Sequence, residues 1–134
     1  MPELQGATPY LLAATAGDAE VMQLLADAGA DLTLTTDAGA TPLMAAAGLG
    51  RMLGENTVDE GRIVEAARLA LELGADLGAT DQVENTALHY AAYHRLTSLV
   101  GYLVDRGARL GQRNKFGETP LWLCLFYTSP SPRD

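Results

Sequence analysis

The sequence predicts an all-α fold, a solenoid of stacked helix-turn-helix units joined by β-turn or hairpin loops. Four stretches, GATPYLLAA, GATPLMAAA, NTALHYAAY and GETPLWLCL, share a threonine followed by Pro or Ala, and these threonines are 33, 45 and 33 residues apart. A closing motif, GADL or GARL, occurs at residues 29–32, 74–77 and 107–110. Self-similarity at a fixed period of this length is typical of stacked repeats, none of which can bury its apolar face alone.

Each unit begins with signals for a short first helix. The repeated threonines, Thr8, Thr41, Thr86 and Thr119, are suited to the N-cap, because a hydroxyl can accept a hydrogen bond from an N–H of the first turn. Proline follows three of them, where its missing N–H carries no penalty. Paired alanines come next, and Gly17 and Gly50 are predicted to end the first two of these helices.

A second helix closes each unit. The segments EVMQLLADA, VEAARLALEL and SLVGYLVDR carry apolar residues at helical spacing. Gly29, Gly74 and Gly107 follow them, where a left-handed C-terminal cap is expected.

The 12 extra residues of the second unit are predicted to lie at about 52–63. Thr57 and Glu60 fit a capping box, so we expect the second helix there to start near Val58 and to run to about Leu73. Residues 52–56 would form a loop. The sequence leaves open whether this insertion is a tolerated surface loop or a functional one.

This pattern resembles the ankyrin repeat. The motif TALHYAA at residues 86–92 and the ending GAD at residues 29–31 are similar to the family's signature, and the resemblance covers residues 6–123. It implies units at about 6–36, 37–81 and 82–114, with a partial fourth at 115–123. Three departures from the pattern are Ala87 in place of Pro, Glu84 in place of the turn glycine, and Tyr10 where Leu is usual.

Residues 124–134 break the repeat. Leu125 stands where a small residue is expected, and two Ser-Pro dipeptides follow in place of a second helix. The segment resembles CLLYTSPSPRD, the translation of a transposase adapter used in sequencing-library preparation, and differs from it only at Phe126. We therefore expect residues 124–134 to be a non-native tail. The first repeat also starts without a visible cap, so we expect the N-terminal extent to be incomplete as well.

The charge is unevenly distributed. Residues 1–84 carry 14 acidic and 3 basic side chains, whereas residues 85–134 carry 3 acidic and 6 basic ones. A nucleic-acid-binding domain needs a basic stripe, so we expect no nucleic-acid partner. No apolar run is long enough to span a bilayer and no signal-peptide pattern is visible, which predicts no membrane insertion and favours a cytoplasmic location.

Candidates for chemistry are few. His89 and His94 have no neighbouring Cys, Asp or Glu at a zinc-motif spacing, and Cys124 has no base beside it. The resemblance implies that the imidazole of His89 hydrogen-bonds the turns of adjacent units. We therefore expect no catalytic residue, metal, cofactor or small-molecule substrate, and the chain is predicted not to be an enzyme.

The resemblance implies a protein-binding module, because ankyrin arrays hold protein partners on a concave surface of turn tips and first helices. Mapped onto this sequence, the tips and the exposed first-helix positions are Asp37, Gln82, Val83, Tyr90, Tyr93, His94, Lys115 and Phe116. Tyr90 and Tyr93 are equally consistent with covering the seam between units. An alternative function is a structural or regulatory appendage of a longer protein whose activity lies elsewhere.

Overall fold

The computed structural model describes residue 6 and residues 8–48 and 59–127, and this part of the chain is helical without strands. The helices alternate between short and long along the chain. In order they are α1 (Pro9–Thr15), α2 (Ala19–Asp27), α3 (Pro42–Ala46), α4 (Glu60–Glu72), α5 (Ala87–Tyr93), α6 (Thr97–Asp105) and α7 (Pro120–Tyr127). The predicted all-α repeat stack is confirmed.

The predicted threonine caps are confirmed at the start of every first helix. The hydroxyl oxygen of Thr8 accepts the N–H of Leu11 at 3.2 Å, and the hydroxyl of Thr41 accepts the N–H of Met44 at 3.2 Å. The same bond recurs from His89 to Thr86 at 3.4 Å and from Trp122 to Thr119 at 3.0 Å. Each bond satisfies an N–H that the first turn leaves without a helical partner.

Gly17 follows α1 in a left-handed conformation as predicted, but the prediction for Gly50 is wrong. The α3 helix ends at Ala46, and Gly48, with φ of 125°, takes the left-handed position. A Cβ on Gly48 would lie 2.3 Å from Cδ2 of His94, so the close approach of that ring requires glycine here. The 33-residue register predicts Gly50 as the end of this helix, whereas the helix ends at Ala46, and Gly50 itself lies outside the described residues.

The second helix of the enlarged unit starts later than the sequence predicted. Its N-cap is Asp59 and its first residue is Glu60, so Val58 is not the helix start. Thr57, Val58 and the 52–56 loop lie outside the described residues. The Glu60 carboxylate accepts the backbone N–H of Ser98 at 2.7 Å. Glu60 therefore caps the start of α6 in the next unit, where Leu96 offers no side-chain cap.

The helices form two rows. First helices pack in the order α1, α3, α5 and α7, and second helices in the order α2, α4 and α6. Small side chains line the contact between rows, since Ala14, Ala46 and Ala91 are fully buried. Leu43, Leu88 and other large apolar side chains fill the space between layers, so the core runs continuously through the stack.

Three similar loops lead into the second, third and fourth units. In each loop, the N–H of one residue donates to the carbonyl oxygen of the residue four positions later, and its own carbonyl oxygen accepts the N–H of the residue three positions later. These bonds close tight turns that begin at Thr36, Asp81 and Asn114. The fourth residue of each turn is left-handed: Gly39, Glu84 with φ of 65°, and Gly117. Glu84 therefore adopts the conformation of the glycine it replaces, although a side chain disfavours it.

The last described helix runs to Tyr127, past the position where the repeat pattern breaks in the sequence. Residues 128–134 lie outside the described part of the chain. The boundaries of the units and the non-native origin of residues 124–134 stay predictions.

Candidate functional site

The tips of the three loops form one connected row. The backbone N–H of Gln82 donates to the carbonyl oxygen of Ala38 at 2.9 Å, and its side-chain amide donates to the carbonyl of Asp37 at 3.0 Å. One layer further, the N–H of Lys115 donates to the carbonyl of Val83 at 2.9 Å. Asp37, Gln82, Val83 and Lys115 thus lie where the sequence placed them, along one edge of the stack.

A buried carboxylate holds the middle loop and a first helix together. One oxygen of Asp81 accepts the N–H groups of Val83 and Asn85, both at 3.0 Å. Its other oxygen accepts the hydroxyl proton of Tyr90 at 2.5 Å. Because Tyr90 belongs to α5, this pair fixes the position of the tip relative to the first helix behind it.

Tyr90 and Tyr93 lie on the same side of the third unit. With Asn85, His89, Glu118 and Leu123, they line a cavity of about 200 Å³ between α5 and the fourth unit. Both tyrosines are half-buried. An aromatic side chain with an apolar ring and a polar end is a common anchor in protein interfaces.

His94 lies at the end of α5 and faces the second unit. Its ring packs against Gly48 and makes an edge-on contact with Tyr93, with ring centroids 5.3 Å apart. The side chain of His94 is half-buried, and it lies over the seam between the second and third units as well as beside Tyr93.

Phe116 is the most exposed large apolar side chain of the tip row. It retains 71% of its accessible surface, although its backbone N–H is held by the side-chain oxygen of Asn114 at 2.9 Å. Single exposed apolar residues are common, but this one stands on a loop whose backbone is fixed by hydrogen bonds.

His89 is a structural residue, as the resemblance implied. The backbone N–H of Thr86 donates to Nδ1 at 3.0 Å, so Nδ1 carries no proton and Nε2 donates to the carbonyl oxygen of Glu118 at 3.0 Å. Burial lowers the pKa of His89 below its ordinary 6.5, while the carbonyls of Glu118 and Gln112 oppose this shift more weakly. The neutral ring links the third unit to the loop of the fourth.

The sequence reasoning missed the residues that hold the loops. Asp81 and Asn114 each accept two backbone N–H groups, and Asn114 also donates to the side chain of Asn85 at 2.8 Å. The signal was available, since Thr36, Asp81 and Asn114 all precede a capping threonine by five residues and belong to the types that bond nearby backbone groups.

Across residue 6, 8–48 and 59–127, no group of three or more His, Cys, Asp or Glu side chains is placed to hold a metal ion. None of the helices in that part of the chain combines the length and apolar character needed to cross a bilayer.

Known families match nearly the whole repeat region. A family model for ankyrin repeats in multiple copies matches residues 56–131, and a single ankyrin repeat model matches residues 5–37. The chain is 34% identical over 125 residues to mouse ankyrin repeat and SOCS box protein 16, covering 93% of this chain and 27% of that protein. It is 37% identical over 115 residues to human ankyrin repeat and KH domain-containing protein 1, covering 84% of this chain and 4% of that protein.

A third relative is the neurogenic locus notch homolog protein 1 of Xenopus tropicalis, 34% identical over 126 residues, which are 92% of this chain and 4% of that protein. The chain thus spans about a quarter of the first relative and a small part of the other two. The repeat geometry, the threonine caps, the linking histidine and the family matches agree, and the chain belongs to the ankyrin repeat family.

Proposed function

We propose that this chain holds a protein partner on the surface formed by the loop tips and the first helices, with Tyr93 and Phe116 as its main anchors. Ankyrin repeats are in general protein–protein interaction modules, and the family is a non-catalytic fold. Beyond this general role, we propose a specific binding face and the residues of that face that contact the partner.

One observation carries the proposal: an exposed phenylalanine stands on a tip row whose backbone is already hydrogen-bonded from unit to unit. The loss of conformational freedom on binding opposes association, and a surface that is rigid before binding loses less freedom. The cavity lined by Tyr90 and Tyr93 adds a place for an apolar side chain of the partner beside that row.

The test uses a displayed library of random peptides as the probe, selected on the immobilised chain. We expect Phe116→Ala and Tyr93→Ala each to lower the affinity of the chain for the selected peptides on the order of tenfold or more, because anchors of this kind dominate binding energy. Tyr90 is left unchanged, since its bond to Asp81 makes a substitution there a test of stability.

Leu34→Ala is the matched control, because Leu34 is an exposed apolar residue away from the anchors, with 49% of its surface accessible. It should bind the peptides as the unaltered chain does, and circular dichroism should show equal helix content in all variants. Peptides that bind equally to all three variants would contradict the proposal.

A second candidate function is that of an appendage within a longer protein. The printed names of relatives join ankyrin repeats to a SOCS box or to a KH domain, and the chain covers only 27% and 4% of those two proteins. In that case the bound partner would be another domain of the same polypeptide. Peptides selected in the test above would then resemble a segment of that longer chain.

A further inference from the structure

The N-terminal end of the stack exposes apolar side chains at positions that other units bury or half-bury. In α1, Leu12 is 48% exposed, whereas the equivalent Ala45 and Leu123 are buried and the equivalent Tyr90 is half-buried. In α2, Val21 is 39% exposed, whereas the equivalent Ala66 and Leu99 are fully buried.

A third position follows the same rule. Leu24 is 67% exposed, whereas Leu69 and Tyr102 occupy its place in the next two units and are half-buried against the core. We define Leu12, Val21 and Leu24 as the end face. The end face corresponds to one side of the interface that joins neighbouring units inside the molecule. A terminal unit that closes a stack carries a polar outer face instead.

Gly6, which lies shortly before α1, has the left-handed conformation of the glycines in the connections between units. Gly6 has φ of 81°, and it precedes Thr8 by two residues, as Gly39 precedes Thr41 and Gly117 precedes Thr119. A Cβ on Gly6 would meet the carboxylate of Asp37, so Gly6 lies against the next tip of the row. Among the described units, the glycine at this position, Gly39 or Gly117, follows the second helix of a preceding unit.

From these observations we propose that the end face is the docking surface for one further ankyrin unit, placed immediately N-terminal to α1 in the same polypeptide. Two helices are needed to cover it, a first helix over Leu12 and a second helix over Val21 and Leu24. The proposal concerns the end of the stack and is independent of partner binding at the tips.

A second copy of this chain fits the end face poorly. Beyond the third unit its described C-terminal end offers only the first helix α7, which would leave Val21 and Leu24 uncovered. Two end faces brought together would repel, because residues 8–48 carry five acidic side chains and no basic one. The curated relatives are also several times longer than this chain, which leaves room for a further unit.

The acidic side chains of residues 8–48 favour a docked unit that carries basic residues. Residues 82–114 form such a unit, with four basic and two acidic side chains, and its outward face already packs against α7. It therefore serves as the probe, joined directly before residue 4 in place of residues 1–3, so that the 33-residue register is kept.

We expect this fusion to raise the thermal unfolding midpoint by about 5 °C or more, because stacked units stabilise each other through their shared interface. Amide hydrogen exchange in α1 and α2 should slow as well. The fusion carrying Leu12→Glu and Leu24→Glu should lose the gain, whereas the fusion carrying Leu34→Glu should keep it. In the unfused chain the double substitution should change little, since both leucines are exposed.

The proposal fails if the fusion leaves the midpoint unchanged, or if the double variant gains as much as the unaltered fusion. A second copy of the chain would occupy the end face if the thermal unfolding midpoint of the unfused chain rose with protein concentration and Leu24→Glu removed that rise. This result would also contradict the proposal.

Discussion

The seam between the first two units and the seam between the last two share one backbone geometry but are held by different chemistry. Three residues after the capping threonine, the first two units place Leu11 and Met44, both fully buried. At the same position the third unit places His89, which bonds Thr86 on one side and Glu118 on the other. At one position of the repeat, the stack thus has apolar packing in two units and a hydrogen-bonded imidazole ring in the third.

The difference matters because the two seams respond differently to loss of a side chain. Apolar packing depends on volume and area and tolerates a swap of similar size. A buried hydrogen-bonded ring leaves donors and acceptors without partners when it is removed. The C-terminal seam is also the one beside the candidate partner surface, where Asn114 joins Asn85 and holds the loop that carries Phe116.

The largest effect is expected for His89→Met, which gives the third unit the residue of the second. The N–H of Thr86 and the carbonyl of Glu118 would lose their partners, so the free energy of unfolding should fall by about 1–3 kcal/mol at pH 7.5. Urea denaturation measures this. Met44→Leu is the matched control and should lower it by less than about 1.5 kcal/mol. A His89→Met variant as stable as the unaltered chain would show that the polar seam is equivalent to the apolar one.

A smaller effect, with the opposite sign, is expected at the tip of the third unit. Glu84 holds φ of 65° where the other loops have glycine. Glu84→Gly should raise the free energy of unfolding by about 1 kcal/mol, since glycine adopts this conformation without the steric penalty of a side chain. Urea denaturation of this variant beside Gly39→Ala, which should be destabilised, checks the sign. A loss of stability in Glu84→Gly would mean that the glutamate side chain contributes more than its backbone strain.

Much of the fold could be predicted because the motif that begins a unit occurs four times in the sequence. The threonine caps and the presence of a second helix in each of the first three units follow from local sequence. The end of α3 could not be predicted from local sequence, and the ring that lies against Gly48 belongs to His94, 46 residues further along the chain.

The sequence predicts which residues lie at the loop tips of the candidate site, but it does not predict the hydrogen bonds that hold them. The tip residues follow from the register of the repeat. The bond from Tyr90 to Asp81 and the bond from Ser98 to Glu60 join residues 9 and 38 positions apart, and no local pattern indicates them. For the same reason the local sequence predicts that Glu60 caps its own helix, whereas its carboxylate caps the helix of the next unit.

Native-state hydrogen exchange at pH 7.5 and pH 5.5 tests the difference between the seams most directly. The lowered pKa of His89 means that its contribution to stability is complete above pH 6.5 and is lost as the pH falls below 6.5 toward the pKa of the folded protein. After correction for intrinsic rates, the amides of α5 should lose protection at pH 5.5 relative to those of α1 and α3, and His89→Met should abolish that difference. Equal loss in all three helices, or an unchanged α5, would contradict the account.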